Sequence, residues 1–442
     1  MLLLEVLSLV CGFLSKQVLK QVRQVSKTLE QAAVPYLFDE IFISQNMADF
    51  HIAKLAILQF KHYIHTLVFS SVYYTDMDRE SFDEVFDVDT DIGHSEHAFT
   101  LYRIARKNQQ ENLTNGSSSA YLSFALTSSP NIRKIILTDT SSSRSMSHQS
   151  LQIYEPRSSK ACPVKQCDLK DTGHLPHEVC QSGFSRKGST NPWRLILHAL
   201  SATNANVKEL TMEPCDLELS TDTASFSMSP GSLSQVKVCF RTLTKIRFTL
   251  LMDPERFSTN VDKRHVHRNV AKLLSSAINL QSLSLDLRDE AVVPETQHST
   301  LKEILGQCKF PKLRSLILGF LVSSEAELLR LLRYSGSLEQ LTIEGHELTE
   351  GSWMRVADWI RASLPLLGYA GLNQLYGGFN EPWEKTEYMD LYDHVGCFLF
   401  AQGENPFTTE ALEEYHADVK AGRQTVNCTG GVGLLGAYCK YH

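Results

Sequence analysis

Leu280-Gln-Ser-Leu283-Ser-Leu285, Leu313-Arg-Ser-Leu316-Ile-Leu318 and Leu338-Glu-Gln-Leu341-Thr-Ile343 repeat one pattern, apolar-x-x-apolar-x-apolar, with starts 33 and 25 residues apart. The last two apolar positions alternate, which predicts a strand with one buried face. A segment of helical period precedes each strand, at 271–277, 301–305 and 328–332. One helix and one short strand cannot bury their apolar side alone, so each unit must stack on a neighbour.

The same template fits Ile64-His-Thr-Leu67-Val-Phe69, Ile132-Arg-Lys-Ile135-Ile-Leu137, Val207-Lys-Glu-Leu210-Thr-Met212 and Leu243-Thr-Lys-Ile246-Arg-Phe248. Leu364-Pro-Leu-Leu367-Gly-Tyr369 is a poor eighth copy. Start-to-start gaps of 68, 75, 36, 37, 33, 25 and 26 place insertions in the two long intervals. The copies resemble irregular leucine-rich repeats, which implies an α/β solenoid of parallel strands with helices outside. That family places asparagine or cysteine three residues after the last strand leucine. Cys215 falls at that offset, while Arg288, Leu321 and His346 hold it elsewhere, so irregular curvature is expected.

The N-terminal stretch reads differently. Leu4, Leu7, Val10 and Leu14 recur at helical spacing, as do Val18, Val22 and Val25, and residues 2–34 are expected to form three short helices. Ser26 is placed to cap the third, with Glu30 in the next turn, and Pro35 is expected to end it. Ile41-Phe42-Ile43 reads as a short strand. Residues 2–44 resemble an F-box in the form common in fungal chains. The residues that carry the likeness are Leu2, Glu5, Val6, Leu7 and Val10, then Phe13-Leu14 and Leu19. Arg23-Gln24-Val25-Ser26-Lys27 and Ala33-Val34-Pro35-Tyr36-Leu37-Phe38 follow, with Leu3 where the family usually has proline.

Composition limits the function classes. The chain has 442 residues and a formal net charge of −7, which argues against a general binder of nucleic acid or membrane surfaces. Ten cysteines spread over the whole length form no dense disulfide framework and favour a reducing compartment. The apolar run 1–14 lacks a basic start and a small-x-small cleavage site, and Glu5 interrupts it, so it is not read as a signal peptide. No other window is apolar for long enough to span a bilayer. A cytoplasmic or nuclear location is expected, and the sequons at Asn112, Asn115 and Asn427 then carry no glycan.

Two insertions and a tail complete the chain. Residues 72–97, with Asp76, Asp78, Glu80, Asp83, Glu84, Asp87, Asp89 and Asp91, are expected to form a solvated acidic loop. Residues 139–191, rich in serine and basic residues with little periodicity, are expected to form a long mobile loop. Residues 409–419 look helical, the chain closes through Gly430-Gly431-Val432-Gly433, and 403–407 resemble a segment found late in fungal F-box chains.

Catalytic and metal patterns fail on spacing. A calcium loop starting at Asp87 has Ile92 where glycine is required and Ala98 where glutamate is required. Gly183–Ser189 imitates a phosphate loop but has Ser189 in place of the lysine. His177-Glu178 and His346-Glu347 lack the second histidine of a zinc protease, since Gln181 and Glu350 stand there. Cys162, Cys167, His174, His177 and Cys180 offer five potential zinc ligands within 19 residues, but match no common finger spacing. They read as a cysteine- and histidine-containing surface loop. His198 and His265 read as satisfied or solvated residues, and Trp353 and Trp359 as packing.

The divisions expected are a helical module at 1–45, repeats at 46–370 and an extension at 371–442. The resemblance implies a substrate receptor of a cullin ubiquitin ligase, with no cofactor, metal or catalytic residue of its own. Its partners would be a Skp-family adaptor, the cullin scaffold and an unknown target protein, with no nucleic acid or membrane. Adaptor contact is assigned to Leu4, Val6, Leu7, Val10, Phe13, Leu14 and Leu19. The target is assigned to strand positions between the buried leucines: Lys134, Glu209, Lys245, Arg247, Ser284, Gln340 and Thr342, with Ile136, Thr211, Ser282, Ser315 and Ile317 on the same face. A repeat scaffold without a ligase role and a secreted repeat glycoprotein are the alternatives.

Overall fold

The computed structural model describes residues 2–71, 73–74, 76–86, 92–138, 180–181, 191–213, 221–222, 226, 228–251, 260–288, 300–377, 389–390, 398–400 and 405. These fall into two compact units, residues 2–280 with 287–288, and residues 281–286 with the described residues from 300 onward.

The first unit opens with the three expected helices, α1 (Leu2–Cys11), α2 (Lys16–Val22) and α3 (Lys27–Leu37). Ser26 caps α3 as expected, its Oγ accepting from the Leu29 N–H at 3.2 Å, and Ser15 caps α2 in the same way. Pro35 does not stop α3, which continues to Leu37. In the last turn a proline forfeits one backbone bond, and the Phe38 N–H still closes on the Val34 carbonyl at 3.1 Å. Cys11, Leu19, Ala32, Ala33 and Leu37 form the buried centre of this module, with Leu7, Leu14, Val22, Tyr36 and Phe38 packed around it.

The unit continues with β1 (Glu40–Ile43), α4 (Met47–Phe60), β2 (Thr66–Ser70) and β3 (Tyr73–Tyr74). Then come α5 (Arg79–Phe86), α6 (Ile92–Thr114), α7 (Ser117–Ser128), β4 (Lys134–Thr138) and β5 (Cys180–Gln181). It ends with α8 (Pro192–Thr203), β6 (Glu209–Glu213), β7 (Thr221–Asp222), α9 (Pro230–Phe240), β8 (Lys245–Leu251) and α10 (Asn260–Ser276). Strands β1, β2, β4, β6 and β8 pair in parallel in that order. Ile41, Leu67, Ile135, Leu210 and Ile246 lie in one row across them, all buried. That row extends the template to Phe38-Asp-Glu-Ile41-Phe-Ile43, so the strand after the three helices is part of the sheet.

The second unit contains the greater part of β9 (Ser282–Arg288), followed by α11 (Thr300–Leu305), β10 (Ser315–Gly319) and β11 (Val322–Ser324). It continues with α12 (Glu325–Arg333), β12 (Gln340–Glu344), β13 (Glu347–Glu350), α13 (Trp353–Ser363), β14 (Tyr369–Gly377) and β15 (Met389–Asp390). Here β9, β10, β12 and β14 are parallel, and Leu283, Leu316, Leu341 and Ala370 share one buried row. Leu285, Leu318, Ile343 and Leu372 share the next. The eighth copy is therefore Leu367-Gly-Tyr-Ala370-Gly-Leu372, three residues beyond the expected one; alanine at its central position hides it. Each unit is thus α/β with parallel strands joined through helices, as α12 shows with its capping box between Ser324 and Glu327.

The first insertion is not a loop. α5 and the 23-residue α6 occupy much of it, because Phe82, Phe99 and Tyr102 supply a buried aromatic cluster. Phe82 lies 5.2 Å from Phe99 and 5.3 Å from Tyr102 between ring centroids, and Tyr74 meets Tyr102 edge to face. Asp78 spends its charge on the start of α5, where its carboxylate accepts from the Ser81 N–H at 2.9 Å and is held below its ordinary pKa. The expected loop at 139–191 lies outside the described residues except for β5, antiparallel to β3, and Asn191, which caps α8 by accepting from the Trp193 and Arg194 N–H groups. The expected helix at 409–419 and the glycine-rich end also lie outside the described residues.

Candidate docking surface

α1 is apolar at nearly every position, so its two sides are set by what packs against it. Leu7, Cys11 and Leu14, spaced by four and three, meet the centre of the three-helix module. Val6, Leu9, Val10 and Phe13 recur at i, i+3, i+4 and i+7 on the other side, and are 49%, 65%, 51% and 90% exposed. Leu4, Val18 and Val25 are exposed nearby in sequence. Scattered single apolar residues need no explanation, but three on one face of α1, continued by Phe13 in the turn that follows it, are a feature of binding surfaces.

This divides the expected adaptor residues. Leu4, Val6, Val10 and Phe13 are exposed and available for contact. Leu7 and Leu14 are half-buried, and Leu19 is buried; these three hold the module together instead, because Leu19 packs on Ala32, Ala33 and Leu37. Leu9, Val18 and Val25 were missed, although Leu9 completes the i, i+3, i+4 spacing and was legible.

The expected target-binding positions divide as well. In the first unit Glu40, Thr66, Lys134, Glu209 and Lys245 form one row across adjacent strands, about 4.8 Å apart, so acidic and basic side chains alternate. All five are at least partly exposed. In the row Phe42, Val68, Ile136, Thr211 and Arg247, the middle three are buried, and only Arg247 of the expected exposed set keeps access. In the second unit Ser282, Ser315, Gln340 and Tyr369 form a row that keeps solvent access. Ser284 and Ile317 also remain accessible, but Thr342 is buried: its short side chain lies between Ile317 and Gly371 in register and is corrected to a packing position.

Several other candidate groups are taken up by the fold. His346 is fully enclosed, its Nε2 2.8 Å from Ser323 Oγ and its ring edge to face with Trp353; burial pushes its pKa down to about 3. Trp353 is buried and donates its Nε1–H to the Tyr376 carbonyl, in keeping with a packing role. His198 and His265 have hydrogen-bonding neighbours, Ser119 and Asn269. Cys11, Cys239 and Cys308 are buried thiols outside any disulfide, with raised pKa values, Cys308 up to about 12, which makes them poor nucleophiles. Among the described residues no three histidine, cysteine or acidic side chains gather to hold a metal, and no helix is long and apolar enough to cross a membrane. Of the potential zinc ligands weighed and set aside in the sequence, Cys162, Cys167, His174 and His177 lie outside the described residues, as does the phosphate-loop imitation.

No protein-family model matches this chain, and no curated protein matches it either.

Proposed function

We propose that the chain is a substrate receptor of a cullin ubiquitin ligase, whose N-terminal helices dock a Skp-family adaptor and whose strand units hold a target protein. The observation that carries this reading is the exposed stripe Val6, Leu9, Val10 and Phe13 on a three-helix module that has its own buried centre. An apolar helix face next to an otherwise closed core suits helix–helix docking. The F-box resemblance of residues 2–44 names the partner. The strand units supply the second half of the function. In an irregular leucine-rich-repeat solenoid, the partly exposed Lys134, Glu209, Lys245 and Arg247 of the first unit and Ser284 and Gln340 of the second would contact the target. Such a receptor performs no covalent chemistry; it raises the effective concentration of the target near the ligase.

Asn112, whose side chain is buried and donates to the Gln45 carbonyl at 3.3 Å, has no room for a glycan, but Asn115 is exposed, so the secreted-glycoprotein alternative turns on whether Asn115 is modified. Co-precipitation of the full chain with a Skp-family adaptor tests the reading. Variants should be placed at Val10 and Phe13 rather than at Leu7, because a charge at Leu7 would disrupt the module's own packing. Absence of adaptor binding by the intact chain leaves the non-ligase repeat scaffold.

A further inference from the structure

The first strands of the first unit run out into a buried polar layer. Gln45 lies two residues beyond Ile43 of β1, and Ser71 two beyond Phe69 of β2, where Ile43 and Phe69 are paired in register. Strand alternation puts both side chains on the same side as those two buried residues. Ser71 still bonds to the next strand, its N–H donating to the Thr138 carbonyl at 2.7 Å. Gln45 and Ser71 are themselves fully buried. Polar groups around them are engaged. Asn112 of α6 donates to the Gln45 main-chain carbonyl at 3.3 Å, the Asn46 N–H to Ser44 Oγ at 3.0 Å, and the Ser44 hydroxyl to Asp49. Gln109 Oε1 accepts from the Tyr74 N–H at 2.8 Å. The Gln45 carboxamide differs: neither its Nε2 nor its Oε1 has a hydrogen-bond partner among the described residues, and neither has the Ser71 hydroxyl. The Ser118 hydroxyl is a third such group, buried on α7 one turn before Tyr121, whose hydroxyl reaches the Met47 sulfur.

A buried amide without a partner gives up its bonds to solvent and receives nothing in return, a cost that native interiors avoid. We infer that the Gln45 carboxamide and the Ser71 hydroxyl form an internal hydration site, in which a bound water molecule bridges the end of β1 to the end of β2. The donor set selects the ligand. A carboxamide offers donors and an acceptor, and a hydroxyl offers both, so the ligand must donate as well as accept. A metal ion would take Oε1 and leave Nε2 unanswered, because hard cations bind oxygen alone. Asp49, linked to the neighbouring Ser44, opposes an anion. Side-chain atoms closed to solvent admit only a small molecule. Water meets each condition, and a buried water takes two to four polar partners. Such a bridge holds nearly as well as a direct hydrogen bond. Through Asn112 the same site is tied to α6, so it connects the first two strands to the helical insertion. It uses no residue of the exposed face of α1 and stands apart from the receptor reading.

The test is a high-resolution crystal structure of the full chain, joined to water-oxygen relaxation dispersion in solution. The crystal should show an ordered water about 2.7–3.2 Å from Gln45 Nε2 or Oε1 and within the same reach of Ser71 Oγ. In solution the natural chain should show a long-lived internal water whose signal falls in Gln45→Met, an apolar replacement of similar length. Should Gln45→Met fail to fold, the crystal structure of the natural chain decides by itself. A Gln45 amide with no water in reach overturns the inference. So does a protein group bonded to both Nε2 and Oε1, a metal ion at Oε1, or a dispersion signal that folded Gln45→Met leaves unchanged.

Discussion

Val10 and Cys11 are consecutive on α1, about 100° apart around its axis, and differ sharply in burial: Val10 is 51% exposed, and Cys11 is 2% exposed in the centre of the three-helix module. The contrast separates residues that hold the module together from residues that can meet a partner. Leu19 is on the holding side, with Ala32, Ala33 and Leu37 as neighbours. Leu19→Ala should therefore destabilise the chain by about 2–5 kcal/mol through lost burial and a residual cavity. Val10→Ser should change stability by no more than about 0.5 kcal/mol. Urea unfolding of the two variants checks the contrast; equal losses would place Val10 in the core and remove the surface argument.

His346 and Ser323 give the second unit a pH dependence. The buried imidazole titrates near 3, below its ordinary value of 6.5, so it folds as the neutral base. In the unfolded chain it binds a proton below about 6.5. Its contribution is fully present above that pH and is lost as pH falls from about 6.5 toward 3, by up to about 1.4 kcal/mol per pH unit. His346→Gln, which can still hydrogen-bond Ser323, should flatten the stability curve between pH 4 and 6.5 relative to the natural chain. Parallel curves for the two proteins would show that His346 does not titrate as described.

Asp49 acts with the opposite sign in the same window. Burial raises its pKa to about 6, against the lowering effect of hydrogen bonds from Ser44 and Asn46. A carboxyl whose folded pKa is raised contributes stability fully below about pH 4, and that contribution is lost as pH rises through about 6. Asp49→Asn should match the natural chain near pH 4 and exceed its stability at pH 7 by on the order of 2 kcal/mol. An asparagine variant that is weaker at pH 7 would mean that the carboxylate is stabilising there. Because His346 and Asp49 oppose one another, the pH curve of the natural chain alone does not separate them.

The strand units were legible because leucine and isoleucine occupy the buried rows in register: Leu283, Leu316 and Leu341 align as their spacing predicts. Where a smaller residue fills the same place the signal vanishes, as at Ala370. α6 was hidden for another reason. Phe82, Phe99 and Tyr102 meet only after the chain folds back, and the acidic residues around Phe82 suggested a solvated loop. On α1 the residue types were informative but the facing was not. A helix apolar on both sides has no polar face to orient it. The seven residues assigned to adaptor contact therefore included three that the fold uses for itself, Leu7, Leu14 and Leu19. Likewise, strand alternation marked Thr342 as outward, yet its neighbours across the sheet leave it buried.

Calorimetric titration of a purified Skp-family adaptor into the full chain decides whether the exposed stripe on α1 is a docking surface. The natural chain should bind at one-to-one stoichiometry. Phe13→Asp and Val10→Asp, both at exposed positions, should each weaken binding by about 100-fold, the scale expected for charge placed at the centre of an apolar interface. Leu55→Asp, exposed on α4, should bind as the natural chain does. No binding by the natural chain, or unchanged binding by Phe13→Asp, would contradict the receptor reading.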